Sequence, residues 1–346
     1  MAAFGPPLPP PNTRLGRHRQ LAPLAGLHVS PICLGGMSIG DQWGKLGLGQ
    51  MDRESSFKLL DAFYEAGGNF IDVAHNYQDE SSEKFLGEWM EAKGIRDQMV
   101  IATKYTSNYK LRATDIQQKT SYLGNNIKSL HISWDWSSGV EEVMNGLHNL
   151  VAQGKVLYLT PFVVYQGAWS ILQRDFERDI IPMARHWQEG MGLAPWNVLA
   201  AGKIRTDAEE ERRRQTGEKG RTIFASDWVR SEDERKVCLA LEKVAKQVGV
   251  QSITAVAVAY VMQKTPYVIP IVGGRKVEHL MDNIAALDIA LSPEQVKYLE
   301  DVLPFKPGLP HEMIGDGTEY TTLFKLFSGV HYDRWPNQEA LRPASQ

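Results

Sequence analysis

Three residues have types and spacings that suit acid catalysis. Asp72 closes the apolar run Asn69-Phe-Ile-Asp72, and Tyr77 follows five residues later in Val73-Ala-His-Asn-Tyr77. Lys104 closes the next such run, Val100-Ile-Ala-Thr-Lys104. If the two runs are neighbouring parallel strands, their ends meet on one rim. A tyrosine hydroxyl, with an ordinary pKa near 10, is too weak an acid to protonate an alkoxide efficiently at neutral pH. A neighbouring ammonium stabilises the phenolate and lowers that pKa, and a buried carboxylate keeps the lysine charged and oriented. Strand-end Asp, Tyr and Lys residues also occur without any chemistry, so the trio alone does not decide.

The elements that must position these residues follow a regular pattern. Short apolar runs at 29–34, 69–74, 99–105, 156–159, 162–165, 193–196 and 268–272 read as strands. Helical periodicity covers 52–66, 81–93, 138–153, 176–185, 231–248, 253–264 and 277–287, and more weakly 114–128. Asp52 is the expected N-cap of the first helix, Gly94 the stop of the second, and Ser292-Pro293-Glu-Gln295 the capping box of a last one. Strand–helix alternation indicates an α/β protein with a parallel sheet, either a (β/α)₈ TIM barrel or an open doubly wound sheet. No Gly-x-Gly-x-x-Gly follows the first strand, and the chemical residues fall at the C-terminal ends of different strands; both favour the barrel.

That barrel reads as incomplete around strands 4 and 5. Only Thr160-Pro161 separates 156–159 from 162–165, too little for a parallel crossover. Between Tyr105 and Val156 the only strand candidate is 130–136, short and weakly apolar.

The run Asp72-Val-Ala-His-Asn-Tyr77-Gln-Asp-Glu-Ser-Ser-Glu83-Lys-Phe-Leu-Gly87, with Ala102-Thr-Lys104 and 143–159, resembles the aldo-keto reductases, closest to the fungal aryl-alcohol dehydrogenase and norsolorinic acid reductase branch. The resemblance extends from about Leu21 into the C-terminal tail. It implies a (β/α)₈ barrel binding NADP(H) across its C-terminal face, with Tyr77 as proton donor, Lys104 lowering its pKa, and Asp72 supporting the lysine beside the nicotinamide. It further implies that Gln166 contacts the carboxamide and that the loop Pro195-Trp196-Asn197-Val198-Leu199-Ala200-Ala201-Gly202-Lys203-Ile204-Arg205 wraps the pyrophosphate. Gly273-Gly274-Arg275-Lys276-Val277-Glu278-His279-Leu280-Met281 opens a helix, and there a helix N-terminus and two cations form a sound site for the adenosine 2′-phosphate.

The sequence also departs from that family. The family's fourth strand carries a substrate-binding histidine before a Trp-Trp-Asp run, whereas here His131-Ile-Ser runs straight into Trp134-Asp135-Trp136 and His131 matches an upstream segment. At Leu159-Thr160 the end of a strand and a whole helix are missing. Val73 stands where threonine is usual, and His75 occupies a variable loop position.

The 346 residues allow one large domain or two; the strand count reads as one barrel over 21–302, with a Pro-rich arm at 1–20 and a tail at 303–346, which the resemblance implies extends over the barrel mouth and which could equally be a simply packed tail. A hydrophobic content of 43 % excludes global disorder, and a net charge of −3 offers no electrostatic reason for nucleic acid or anionic membranes as partners. The mixed-charge run around Arg212-Arg-Arg214 is not a one-sided basic patch. No His/Cys/Asp/Glu cluster has metal-ligand spacing, so no metal is expected. Two cysteines in apolar settings, no apolar run of membrane length and an N-terminus unlike a signal peptide make cytosol the expected compartment. The oligomeric state is not legible. The expected function is NADP-dependent interconversion of a carbonyl and an alcohol in fungal secondary metabolism, with polyketides or meroterpenoids as candidate substrates. The alternatives are an inactive product of the same lineage, an incomplete gene model, and a cofactor-binding regulatory subunit.

Overall fold

The computed structural model describes residues 9–105, 107–123, 140–154, 163–185, 190–218, 228–329, 333 and 336–343. The hairpin β1 (Arg19–Ala22) and β2 (Ala25–Val29) precedes the parallel strands β3 (Cys33–Gly35), β4 (Phe70–Asp72), β5 (Val100–Ala102), β6 (Val164–Tyr165), β7 (Gly192–Leu193) and β8 (Ile271–Gly273). Their order is β5-β4-β3-β8, with β6 paired to β7. A parallel bridge Leu193↔Val268 and the bonds Ile269 N→Leu193 O and Ile271 N→Pro195 O, each 2.8 Å, join the two parts into one arc. This arc is the described portion of a (β/α)₈ barrel. Among the described residues β5 and β6 are its two ends. The strands expected at 130–136 and 156–159 lie outside the described residues.

Cys33–Gly35 begins the arc, not Val29. Pro31 has no N–H to give a ladder, so the run expected as one strand at 29–34 divides there: Val29 ends the antiparallel hairpin, and Ser30 turns aside to accommodate Asn69 Oδ1, 2.7 Å from its amide. The hairpin closes the N-terminal end of the arc, where Leu21, Ala22, Ala25 and Val29 pack on Cys33, Phe70, Val164, Ala194 and Ile269.

Helices cover the outside: α1 (Arg53–Glu65), α2 (Ser81–Lys93), α3 (Val140–Ala152), α4 (Ile180–Arg185), α5 (Asp207–Thr216), α6 (Glu232–Gln247), α7 (Ile253–Gln263), α8 (Val277–Ile284) and α9 (Pro293–Val302). Their starts follow sequence rules. Asp52 caps α1 through Ser55 N at 2.7 Å, and Ser231 and Ser292 form full capping boxes for α6 and α9. Apolar on all faces, α7 is buried along nearly its whole length and packs on α6, α8 and the 3₁₀ turn at Ala285–Asp288. Over 114–123 the expected weak helix is replaced by a loop with one 3₁₀ turn at Thr120–Tyr122. That loop is held by Lys119 Nζ on Leu111 O at 2.7 Å and by Asn108 Nδ2 on Lys119 O at 3.3 Å.

Neither arm lies free where it is described. Leu15 is buried in the main core, and Thr13 Oγ1 donates to Ala66 O at 2.7 Å. The tail carries α10 (His311–Ile314) and α11 (Thr322–Ser328). Arg178 Nε donates to Pro307 O at 2.7 Å, His311 meets Asp179 at 3.1 Å, and Arg174 and Arg178 both lie over the Phe305 ring. Leu341 and Pro343 face Arg19 of the hairpin. Residues 305–311 of the tail therefore pack against the segment 174–179 that leads into α4.

Phe63 of α1 is fully buried, with its ring directly over Gly68. Phe63→Ala is expected to cost about 3–5 kcal/mol, read as a lower denaturant midpoint with an unchanged slope.

Candidate active site

Register places Gly35, Asp72 and Ala102 level across β3, β4 and β5, so the chain emerging from each strand meets its neighbour on the C-terminal rim. Asp72 is 4 % exposed. Its Oδ1 accepts from Lys104 Nζ at 2.5 Å, and its Oδ2 accepts from Gln166 Nε2 at 2.8 Å, just beyond β6. One carboxylate thus ties β4 to residues next to both ends of the arc. Lys104 Nζ also donates to Val73 O at 2.9 Å and stands 5.2 Å from the centre of the Tyr77 ring. Burial works against the Lys104 charge, but the Asp72 carboxylate and the nearby Tyr77 outweigh it, and the ammonium is held above its ordinary pKa. The expected trio is brought together, with Gln166 as a fourth member.

Beneath it, Cys33 is fully buried, and burial together with the Asp72 charge pushes its thiol well above the usual range. Gly36 leaves room for the neighbouring strand end: a Cβ there would stand 2.6 Å from Val73 Cγ1 and 3.1 Å from Asp72 O.

Tyr77 precedes three consecutive residues in left-handed backbone, Gln78 (φ 53°), Asp79 (φ 48°) and Glu80 (φ 78°). None is glycine, and each such position costs of order 1 kcal/mol or more. Side chains hold this turn. Asp79 accepts from Trp43 Nε1 at 3.0 Å and pairs with Arg112 at 2.6 Å, while Glu80 pairs with Lys110. The Trp43 ring meets Tyr77 edge-on with centroids 6.1 Å apart. His75 bridges the rim, its ring nitrogens 2.6 Å from Lys104 O and 2.9 Å from Ser107 O, with Tyr109 against its ring. Sequence reading missed Trp43, Gln78, Lys110 and Arg112, whose partners lie about 30 residues or more away in the chain.

A cavity of about 2340 Å³ extends from this cluster along the rim and through the interior of the arc to Leu21 and Leu27 of the hairpin. Among its lining residues are Asp72, Tyr77, Lys104, Gln166, Trp196 to Leu199, Ala201, Gly202, Ile204, Gly273 to Lys276 and His279, but nothing beyond Asn283. Its loop 197–202 repeats the strain of the Tyr77 turn, with Asn197, Ala200 and Ala201 all at positive φ. A Cβ on Gly202 would meet nothing within 4 Å, and Cβ atoms on Gly273 and Gly274 would meet nothing nearer than 3.6 Å and 3.9 Å, so these glycines leave backbone open to a ligand. Arg275 and Lys276 are exposed and have no carboxylate partner among the described residues. The N-terminus of α8 beside them has no side-chain cap. Backbone amides and two cations at one end of an elongated cleft fit a dinucleotide phosphate.

Lys203 and Arg205 point elsewhere. Lys203 Nζ donates to Val229 O at 2.5 Å and pairs with Glu234 at 3.2 Å. Arg205, 1 % exposed, bonds Glu210 at 3.1 Å and Gly202 O at 3.0 Å. Arg230 joins the same Glu210 at 2.8 Å and bonds Arg205 O at 2.5 Å. Burial opposes ionisation of Glu210, yet the two arginines hold its carboxyl below the usual range. These groups anchor the loop from behind. Pro195, Ala200, Val277, Glu278, Leu280 and Met281 do not line the cleft; Leu280 is part of the core and Met281 is exposed on α8.

A parallel α/β barrel with a Tyr, Lys and Asp at its C-terminal rim defines a carbonyl–alcohol oxidoreductase, and comparison with known proteins agrees. The aldo/keto reductase family model matches residues 31–160 and 158–304, and the chain belongs to that family. It is an NADP(H)-dependent oxidoreductase acting on carbonyl or alcohol groups of small molecules. The chain is 58 % identical to the aryl-alcohol dehydrogenase [NADP(+)] of Phanerodontia chrysosporium, with 97 % of this chain and 98 % of the relative covered. It is 43 % identical to the aldo-keto reductase ausK of Emericella nidulans (90 % and 87 % covered) and 41 % identical to norsolorinic acid reductase A of Aspergillus parasiticus (98 % and 96 % covered). The first comparison spans 382 positions against a chain of 346, so at least 36 of those positions have no counterpart here. The two family matches meet at 158–160, where the sequence shows its second shortfall.

Asp72→Asn removes the charge that holds Lys104 ionised. The expected loss is about 1–3 kcal/mol at neutral pH, discounted from a fully buried pair because Lys104 is a third exposed. Since the Lys104 pKa is raised, this contribution is present at neutral pH and disappears as pH rises above about 10.5 through the folded-state value. Denaturant titrations of wild type and variant from pH 7 to 11 should converge at the alkaline end; a gap that stays constant would contradict the assignment.

Proposed function

We propose that the chain reduces an aromatic carbonyl compound, or oxidises the corresponding alcohol, with Tyr77 as the acid–base group. The observation that carries this reading is the Asp72–Lys104 ion pair beneath the Tyr77 ring. In reduction the phenol gives its proton to the carbonyl oxygen, Lys104 stabilises the phenolate left behind, and Asp72 with Val73 O keeps the ammonium aimed. NADPH supplies the hydride when bound. Gln166, fixed by Asp72 Oδ2, is suited to hold the carboxamide. The exposed backbone of 197–202 is suited to the pyrophosphate, and Arg275 and Lys276 to the 2′-phosphate. Met37, Tyr105 and the exposed Trp196 are among the residues that line the cleft, an apolar and aromatic contribution that suits a planar substrate. The names of the relatives support placement in fungal secondary metabolism. A reducing compartment such as the cytosol suits two buried, unpaired cysteines.

A second reading, binding of the cofactor without turnover, is favoured by the positions missing relative to the relatives. Quenching of tryptophan fluorescence by NADPH, followed by NADPH oxidation with an aromatic aldehyde, separates the two. Tyr77→Phe should keep the quenching and lose about 10²–10⁴ in turnover. Turnover that survives this change would refute the mechanism, and quenching without oxidation in the wild type would select the second reading. Arg275→Ala should weaken NADPH binding about 10–100-fold and leave NADH almost unchanged, measured as KM for each coenzyme. Equal losses for both would remove the 2′-phosphate assignment.

A further inference from the structure

Gln78 directly follows Tyr77, is fully buried, and spends all of its side-chain polarity on one loop. Its Nε2 donates to the carbonyls of Met37 at 2.9 Å and Gly49 at 2.8 Å, and its Oε1 accepts from the amides of Gln42 at 3.0 Å and Trp43 at 2.8 Å. A carboxamide has two N–H donors and one oxygen with two lone pairs, so its capacity is filled. Side chains that only fill space are apolar; a buried amide is kept with four partners where it must hold a specific geometry.

The partners span a loop that touches the site at two places. The Trp43 ring stands edge-on to Tyr77, and Gly49 lies so close to Arg275 that a Cβ there would be 3.4 Å from its Cδ. The fit around Gln78 is tight: Gly40 has φ 117°, and a Cβ on it would stand 2.5 Å from Gln78 Cβ. A side chain at position 40 would therefore collide with Gln78 and Ser81, so the chain passes here as glycine.

We propose that Gln78 is a positioning residue, whose carboxamide locks loop 37–49 and the left-handed turn into one unit and thereby sets the Tyr77 phenol against the Lys104 ammonium. This rests on the reading of Tyr77 as proton donor. Two variants separate the amide from the backbone. Gln78→Leu retains bulk and loses all four hydrogen bonds; Gln78→Gly loses them too but suits the positive φ, so backbone strain is relieved. Each is assayed with benzaldehyde and NADPH, with turnover counted per NADPH-binding site from the fluorescence titration.

In both variants kcat is expected to fall about 10–100-fold, as for a misplaced reacting group, with KM for the aldehyde changed less than about threefold. The alkaline limb of kcat for reduction should also move to higher pH, because a phenol drawn away from the ammonium returns toward its ordinary pKa near 10. A kcat and limb unchanged per site in either variant overturns the inference. If neither variant folds, hydrogen exchange on the wild-type holoenzyme decides: Gln42 and Trp43 amides as protected as those of β4 support it, and exchange within seconds overturns it. Tyr77→Phe, run in parallel, keeps the two ideas distinct. Full turnover without the phenol refutes the proton donor, whereas a dead Tyr77→Phe beside unaffected Gln78 variants refutes the positioning role alone.

Discussion

The Asp72 carboxylate is buried at the end of a strand, and two groups from other parts of the arc come to it, Lys104 and Gln166. An unpaired carboxylate there would be costly, so the rest of the rim is organised around meeting that need. Lys104 reaches it because β4 and β5 are in register, and Gln166 reaches it because the arc curves far enough to bring β6 opposite. Holding the lysine charged then fixes what stands above it. The Tyr77 ring centre stands 5.2 Å from that ammonium, and the cleft it borders extends to Arg275 and Lys276, which have no carboxylate partner among the described residues.

Strain in this protein is distributed with the same logic. Seven described non-glycine residues have positive φ, and six of them lie in two places, the turn 78–80 that directly follows the cleft-lining Tyr77 and the cleft loop 197–201. Each loop is braced from behind by ion pairs. Arg112 and Lys110 hold the first, and the Arg205, Glu210 and Arg230 cluster holds the second. Backbone that L-residues disfavour persists where its surroundings determine it fully, and such rigid loops present amides to a ligand without reorganising.

Much of this was legible in the sequence, for identifiable reasons. Strand ends carry the site, so Asp72 and Lys104 could be found from where apolar runs stop, and Tyr77 from its distance to the first of them. The capped helices were legible because caps are local. What depended on remote partners was not. Nothing near Gln78 signals that its amide serves a loop some 30 to 40 residues earlier, and Lys203 and Arg205 look the same on paper whether they face a phosphate or a glutamate behind the loop. The tail followed the same rule: its course along α4 is set by Arg174, Arg178 and Arg185, which no periodicity links to residues 305–316. The strand read at 29–34 hid a local cue in Pro31, and the hairpin strands at 19–22 and 25–29 were not foreseen at all. The shortfall in strands 4 and 5 was visible as spacing too short for a crossover, and the lengths of the relatives agree with it.

Both thiols of the chain are out of reach. Cys33 lies under the catalytic cluster and Cys238 behind the loop of Lys203, each kept protonated by burial. Aldehydes and quinone-like carbonyls are electrophiles that alkylate thiolates, so a protein that concentrates them in a cleft risks being modified by what it handles. With its sulfur confined to neutral, enclosed positions away from the cleft lining, this chain can meet reactive carbonyls without offering them a cysteine nucleophile.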